Sequence, residues 1–143
     1  MLKVVIIDGN AIERKLLQTI LTNGGHHVVG DSNTSAAGLA KMVILRPQII
    51  CIDIGKAEGD GMALLEALRR ELPKTLIFMV SGQMDSAAVQ GALQRGAHGF
   101  IVKPFNSVTV LTTIRNAVMK FARQQQIKPA ESPASQPKIQ AGS

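Results

Sequence analysis

The sequence predicts an α/β fold in which helices doubly wind a parallel sheet, and three observations carry that prediction. Near-continuous runs of β-branched and apolar residues recur along the chain: Lys3-Val4-Val5-Ile6-Ile7, Ile49-Ile50-Cys51-Ile52, Leu76-Ile77-Phe78-Met79-Val80 and Gly99-Phe100-Ile101-Val102. Runs with no polar alternation belong to strands buried on both faces, the condition of parallel sheets covered by helices. Between them lie segments with helical apolar spacing, and such alternation implies crossover connections. Finally, each run ends in a residue capable of chemistry: Asp8, Asp53, Ser81 or Lys103.

Taken in order, the first strand ends at Asp8. A helix follows from Ala11 to Thr22, with Ile12, Leu16, Ile20 and their neighbours Leu17 and Leu21 as its apolar stripe and Asn23-Gly24-Gly25 as its stop. His26-His27-Val28-Val29-Gly30 reads as a short second strand. Adjacent strand residues point to opposite faces, so the histidine pair reads as a loop-to-strand entry rather than a metal site. A second helix is expected from about Ser35 to Leu45, weakened by Gly38 and ended ahead of Arg46-Pro47.

The third strand ends in Asp53 and dissolves into the turn Ile54-Gly55-Lys56-Ala57-Glu58-Gly59-Asp60-Gly61. Leu64, Leu65, Leu68 and Leu72 then form the clearest helical stripe in the chain, stopped by Pro73. After the fourth strand and Ser81-Gly82, an alanine-rich helix containing Gly91 runs from Asp85 to Arg95 and ends at Gly96. A weakly packed helix beside Ser81 and Phe100 is where a conformational change costs least. The last helix begins near Asn106-Ser107 and buries Leu111, Ile114, Val118 and Phe121.

In open α/β sheets the functional crevice lies beyond the carboxyl ends of the strands. If the strands are parallel neighbours, Asp8, Asp53, Ser81 and Lys103 converge there. Any one of them alone reads equally well as a cap or turn residue. Together they suit phosphoryl transfer onto a carboxylate. Asp53 is the nucleophile, a hard divalent cation on oxygen ligands neutralises the incoming charge, and Lys103 and the Ser81 hydroxyl meet phosphoryl oxygens.

These motifs carry a family resemblance. From Met1 to about Arg123 the chain resembles the receiver domain of two-component response regulators, of the single-domain chemotaxis-regulator type. Val5-Ile6-Ile7-Asp8 matches the acidic strand end, Ile52-Asp53 with Asp60-Gly61 the phosphoacceptor segment, and Val80-Ser81-Gly82 the switch hydroxyl followed by a small residue. Gly99-Phe100-Ile101-Val102-Lys103-Pro104-Phe105 matches the switch aromatic, the lysine and its proline, which in the family often follows a cis bond. The resemblance implies a flavodoxin-like, five-stranded parallel sheet of order 2-1-3-4-5 flanked by five helices. It implies a phosphoprotein accepting a phosphoryl group on Asp53 from a histidine kinase or phosphotransfer protein, without turnover as an enzyme. It further implies Mg²⁺ held by Asp8, Asp53 and the Gly55 carbonyl, with Ser81 and Phe100 as the switch pair. The signal would reach a downstream effector, or a second copy in a homodimer, through the face made by the fourth helix, fifth strand and fifth helix.

Here the chain departs from the family pattern. Members usually carry two adjacent acids after the first strand, and the second position is Gly9. With one formal charge fewer, Mg²⁺ is expected to bind weakly, with Glu13 and Asn10 as the candidates to compensate. Ala57 replaces the usual proline, leaving that loop less rigid.

Composition fits this reading. At 143 residues the chain is one domain's worth, and an apolar share of 45% argues against wholesale disorder. No stretch is long enough to span a membrane, and Met1-Leu2-Lys3-Val4 lacks a signal-peptide pattern, so a cytoplasmic location is expected. Cys51, the one cysteine, reads as a small buried apolar residue. The net charge of +6 is dispersed, and with no Trp or Tyr to stack on bases a nucleic-acid surface is disfavoured. Past Arg123 the stretch 124–143 is rich in Pro, Ser, Ala and Gln and reads as a disordered tail or linker stub.

Three rivals compete with the phosphoswitch. One is a degenerate receiver acting as a phosphorylation-independent adaptor because of Gly9. The second is an aspartyl phosphohydrolase of the haloacid dehalogenase kind, which places a second aspartate where this chain has Gly55. The third is a flavodoxin-like flavin binder, disfavoured by the missing Trp and Tyr. The cognate kinase, target and phosphoryl lifetime are not encoded legibly, although the family ties the lifetime partly to the positions of Gly55 and Gln83.

Overall fold

Four of the apolar runs, and one less regular segment, pair edge to edge into a parallel sheet. The computed structural model describes residues 2–33, 36–53, 60–82 and 86–127. Its strands are β1 (Lys3–Ile7), β2 (His27–Ser32), β3 (Ile49–Ile52), β4 (Leu76–Ser81) and β5 (Gly99–Val102). Its helices are α1 (Ala11–Asn23), α2 (Ala36–Ile44), α3 (Asp60–Glu71), α4 (Ser86–Gln94) and α5 (Ser107–Ile127). The order is β2-β1-β3-β4-β5, with every adjacent pair parallel.

The period of two along each strand divides the core. Val5, Ile7, Ile50, Ile52, Ile77 and Met79 face one side and pack with Met42, Leu65, Leu68, Leu72 and Ala92 from α2, α3 and α4. Val4, Ile6, Ile49, Cys51, Phe78 and Val80 face the other, against Leu17 and Leu21 of α1 and Val110 and Ile114 of α5. Both faces are therefore covered, which is why β3 carries no polar residue and β4 none before its last position, Ser81. Burial pushes the Cys51 thiol up to about 12, as befits a residue serving as an apolar side chain.

Several boundaries differ from the sequence expectation. β2 runs from His27 to Ser32, because backbone pairing with β1 continues from Lys3↔His27 to Ile7↔Ser32 even where Asp31 and Ser32 offer no apolar signal. In α1, Leu17 and Leu21 are buried but Ile12 and Leu16 face outward, at 81% and 49% exposure. Only one stripe of a helix can meet the sheet, and successive residues lie about 100° apart. α5 continues four residues beyond Arg123, since glutamine is a good helix former whatever the composition of the chain that follows. Residues 54–59, with Gly55 and Ala57, as well as Gln83 and the residues from 128 onward, lie outside the described residues. No helix among those described is long and apolar enough to cross a membrane.

Candidate functional site

The sheet brings the chemically capable strand ends to one rim in the order Asp8, Asp53, Ser81, Lys103. The Asp8 N–H donates to the Ser32 carbonyl at 2.9 Å, and the Asp53 N–H donates to the Ile7 carbonyl at 2.8 Å. The two aspartates are thus fixed by the same ladders that end β1 and β3. On the other side, the Lys103 N–H donates to the Ser81 carbonyl at 3.0 Å. The Lys103–Pro104 peptide is cis.

From that anchor the Lys103 side chain crosses the rim. Its Nζ donates to Asp53 Oδ2 and to Glu13 Oε1, and lies 3.5 Å from Asp8 Oδ2. Burial works against the ammonium, but the hydrogen bonds to Asp53 and Glu13, with the nearby carboxylate charges, raise its pKa above the ordinary lysine value. Asp8 is 4% exposed, and burial raises its pKa, opposed by the Asn10 N–H that donates to Oδ1 at 2.8 Å.

Glu13 enters this group because α1 begins where it does. The Asn10 side-chain oxygen accepts hydrogen bonds from the Ile12 and Glu13 N–H groups, both at 3.0 Å, and so caps the helix. That cap holds Glu13 in the first turn, above the rim. It also commits the Asn10 oxygen to backbone donors, so of the two candidates to compensate for Gly9, only Glu13 joins the cluster. The signal in sequence was Asn10 followed three residues later by Glu13, the spacing of a capping box. Arg14, which sequence reasoning passed over, donates to the Asp8 carbonyl at 2.6 Å and to Asp31 Oδ2 at 3.1 Å.

Asp8, Glu13 and Asp53 each offer a carboxylate oxygen, all within 4.8 Å of one another. In octahedral Mg²⁺ coordination, opposed oxygens lie about 4.2 Å apart, so this donor set fits a hard divalent cation after a small contraction. Among the described residues, three carboxylates face one ammonium here, a balance that favours a cation. Gly55, whose carbonyl was expected as a ligand, lies outside the described residues.

Ser81 is buried at the rim end of β4. Phe100 is half-buried, pairs in register with Met79 and packs against the core beneath α2, α3 and α4. By strand alternation Ser81 and Phe100 share that face of the sheet. α4, which covers it, contributes Ala92 as its only fully buried side chain among the described residues, while Leu93 is half exposed. This is thin packing for a helix beside a site.

Known proteins share this fold. The response regulator receiver domain family model matches residues 4–115. The chemotaxis protein CheY of Thermotoga maritima is 31% identical over 118 residues, covering 82% of this chain and 98% of that protein. Among solved structures, the signal receiver domain of NarL from Mycobacterium tuberculosis superimposes with a TM-score of 0.68 at 31% identity, covering 85% of this chain and 96% of that one. Chemotaxis protein CheY4 of Vibrio cholerae does so with a TM-score of 0.70 at 26% identity, covering 82% and 98% respectively.

Proposed function

The chain belongs to the response regulator receiver family, and on that premise we propose that Asp53 accepts a phosphoryl group from a histidine kinase or phosphotransfer protein. The observation that carries this reading is the Lys103 ammonium on Asp53 Oδ2, with Asp8 beside it and Ser81 on the intervening strand end. A carboxylate oxygen of Asp53 forms the new P–O bond as the donor's P–N bond breaks, and the imidazole leaves with a solvent proton. Lys103 follows the developing charge from the carboxylate to a phosphoryl oxygen, and the Ser81 hydroxyl donates to another. The acceptor is used once per phosphoryl group received, not as a turnover enzyme.

Asp8 and Asp53, with the Gly55 carbonyl, are the expected ligands for Mg²⁺, which when bound supplies charge neutralisation for the transferring group. Glycine at position 9 withholds a carboxylate that members of the family usually carry, which lowers the affinity for the ion below that of a site with both adjacent acids. Transmission proceeds by Ser81 moving toward the phosphoryl group and Phe100 filling the space behind it, a shift between two packings beneath α4. The face formed by α4, β5 and α5 then receives an effector protein or a second copy. The absence of Trp and Tyr disfavours nucleic acid as the direct target, and a histidine kinase partner puts the domain in the cytoplasm.

Intact mass after incubation with acetyl phosphate, with and without Mg²⁺, tests this. A Mg²⁺-dependent phosphoryl adduct absent from Asp53→Asn is the expected result. No adduct from acetyl phosphate or from any phosphorylated kinase would favour a phosphorylation-independent adaptor instead.

A further inference from the structure

We propose that Glu13 is a ligand of the divalent cation, reaching in from α1 to supply the carboxylate that position 9 lacks. The inference rests on the functional reading above only for the nature of the ion.

Four observations support it. First, the Glu13 carboxylate lies within the same 4.8 Å as those of Asp8 and Asp53, although the sequence separates it from Asp53 by a whole βαβ unit. Second, nothing in the backbone demands glycine at position 9. Its φ is not in the left-handed region, and a Cβ there would meet no atom within 4 Å. The missing acid is therefore a property of the site rather than of a turn. Third, Glu13 is held in the first helical turn by the Asn10 cap, so its side chain starts from a fixed point above the rim. Fourth, Arg14, a cation beside the cluster among the described residues, donates hydrogen bonds to groups other than the three carboxylates. The Arg14 guanidinium is engaged by the Asp8 carbonyl and by Asp31 on the β2 side.

The same geometry sets a competition. The Lys103 ammonium bonds Glu13 and Asp53 together, and so draws on two of the carboxylates that a metal would need. Cation binding must free Glu13 from Lys103, and Lys103 thereby becomes available for the phosphoryl oxygens. Glu13 then has two partners used in turn: the ammonium in the metal-free site and the ion in the loaded one. A carboxylate whose only role was to pair with Lys103 would have no effect on the metal once that lysine was gone.

That difference is the test. Mn²⁺ is titrated by electron paramagnetic resonance into the full chain, and its inner-sphere waters are counted by broadening in ¹⁷O-enriched water. Far-ultraviolet circular dichroism confirms that each variant is folded. In Glu13→Gln, affinity is expected to fall about tenfold or more, the scale typical for loss of a group that shapes a metal site. The bound ion gains a water, and adding Gly9→Asp to that variant restores the affinity. In Lys103→Gln the ion binds more tightly, and Glu13→Gln in that background still weakens binding and adds a water. Equal affinity and hydration for Lys103→Gln and Glu13→Gln/Lys103→Gln would overturn the assignment, as would a wild type that binds no Mn²⁺. The phosphoryl-acceptor reading is judged apart, by the Asp53 adduct. An adduct formed by a protein whose Mn²⁺ hydration ignores Glu13 refutes this inference alone. Glu13-dependent Mn²⁺ binding with no adduct refutes the acceptor reading alone.

Discussion

The ammonium of Lys103, at the end of β5, donates a hydrogen bond to Asp53 Oδ2 at the end of β3, reaching across the end of β4 to do so. Among the described residues, this one lysine lies within ion-pair distance of all three carboxylates of the rim.

Replacing Lys103 with Met leaves Asp8, Glu13 and Asp53 without this counter-ion. Breaking a fully buried pair costs about 3–5 kcal/mol, and partial solvent access here brings the expectation to about 1–3 kcal/mol. Urea unfolding at pH 7.5 should show that loss, and millimolar Mg²⁺ should recover most of it. An unchanged midpoint without metal would mean that the carboxylates are already relieved by solvent.

The same substitution, glycine to alanine, should have opposite outcomes at two sites. At Gly9 a methyl group meets open space, so Gly9→Ala should shift stability by no more than about 0.5 kcal/mol. At Gly96, where φ is +108° just past α4 and the Arg69 side chain crowds the site, Gly96→Ala should cost about 1–2 kcal/mol. Thermal melts of the two variants side by side make the comparison.

Stability should fall as pH drops below 6.5, through His98. Its Nδ1 accepts the Ile77 N–H at 3.1 Å, an arrangement that protonation of that nitrogen abolishes. Burial first, and the Arg69 charge second, lower its pKa, while Lys120 lines the same hollow and adds positive charge. The unfolded chain therefore binds the proton more readily, and the native state is favoured in full only above the ordinary histidine value of 6.5. His26, lowered by burial and by the chain's amino terminus, acts in the same direction. Unfolding midpoints at pH 7.5 and 5.5 should differ less in His98→Asn than in the wild type; an identical difference would remove His98 from the account.

Cys51 should not react with iodoacetamide at pH 8 in the folded protein and should react completely in denaturant, read by mass. Its thiol is wholly buried and stays protonated well above that pH.

The convergence of Asp8, Asp53 and Lys103 was legible in the sequence because the residue that directly follows a strand is placed by the last rung of the sheet. Once parallel order is granted, backbone pairing brings these positions together whatever the intervening helices do. Glu13 was named only as one of two candidates, because its contribution depends on a cap, a helix direction and a side-chain path rather than on a strand end. The apolar stripe of α1 misled for a related reason. Ile12 and Leu16 satisfy the helical period, yet the core takes Leu17 and Leu21, with Ile20 at its margin. β2 ran on past its apolar residues since edge pairing needs backbone groups, which every residue supplies.

The His98–Phe121 ring contact carries a consequence for how the domain could be wired to anything else. His98 lies just before β5, at the edge of the sheet opposite the acidic rim, so by Phe121 helix α5 has already crossed the whole sheet. The helix then runs on to Ile127, a further 9 Å or so at helical rise. Position 127 and Asp53 therefore lie at opposite poles of the domain. A tether attached there would leave the chain at the end of the domain remote from Asp53, so the proposed exchange with a phosphodonor would take place at the free pole.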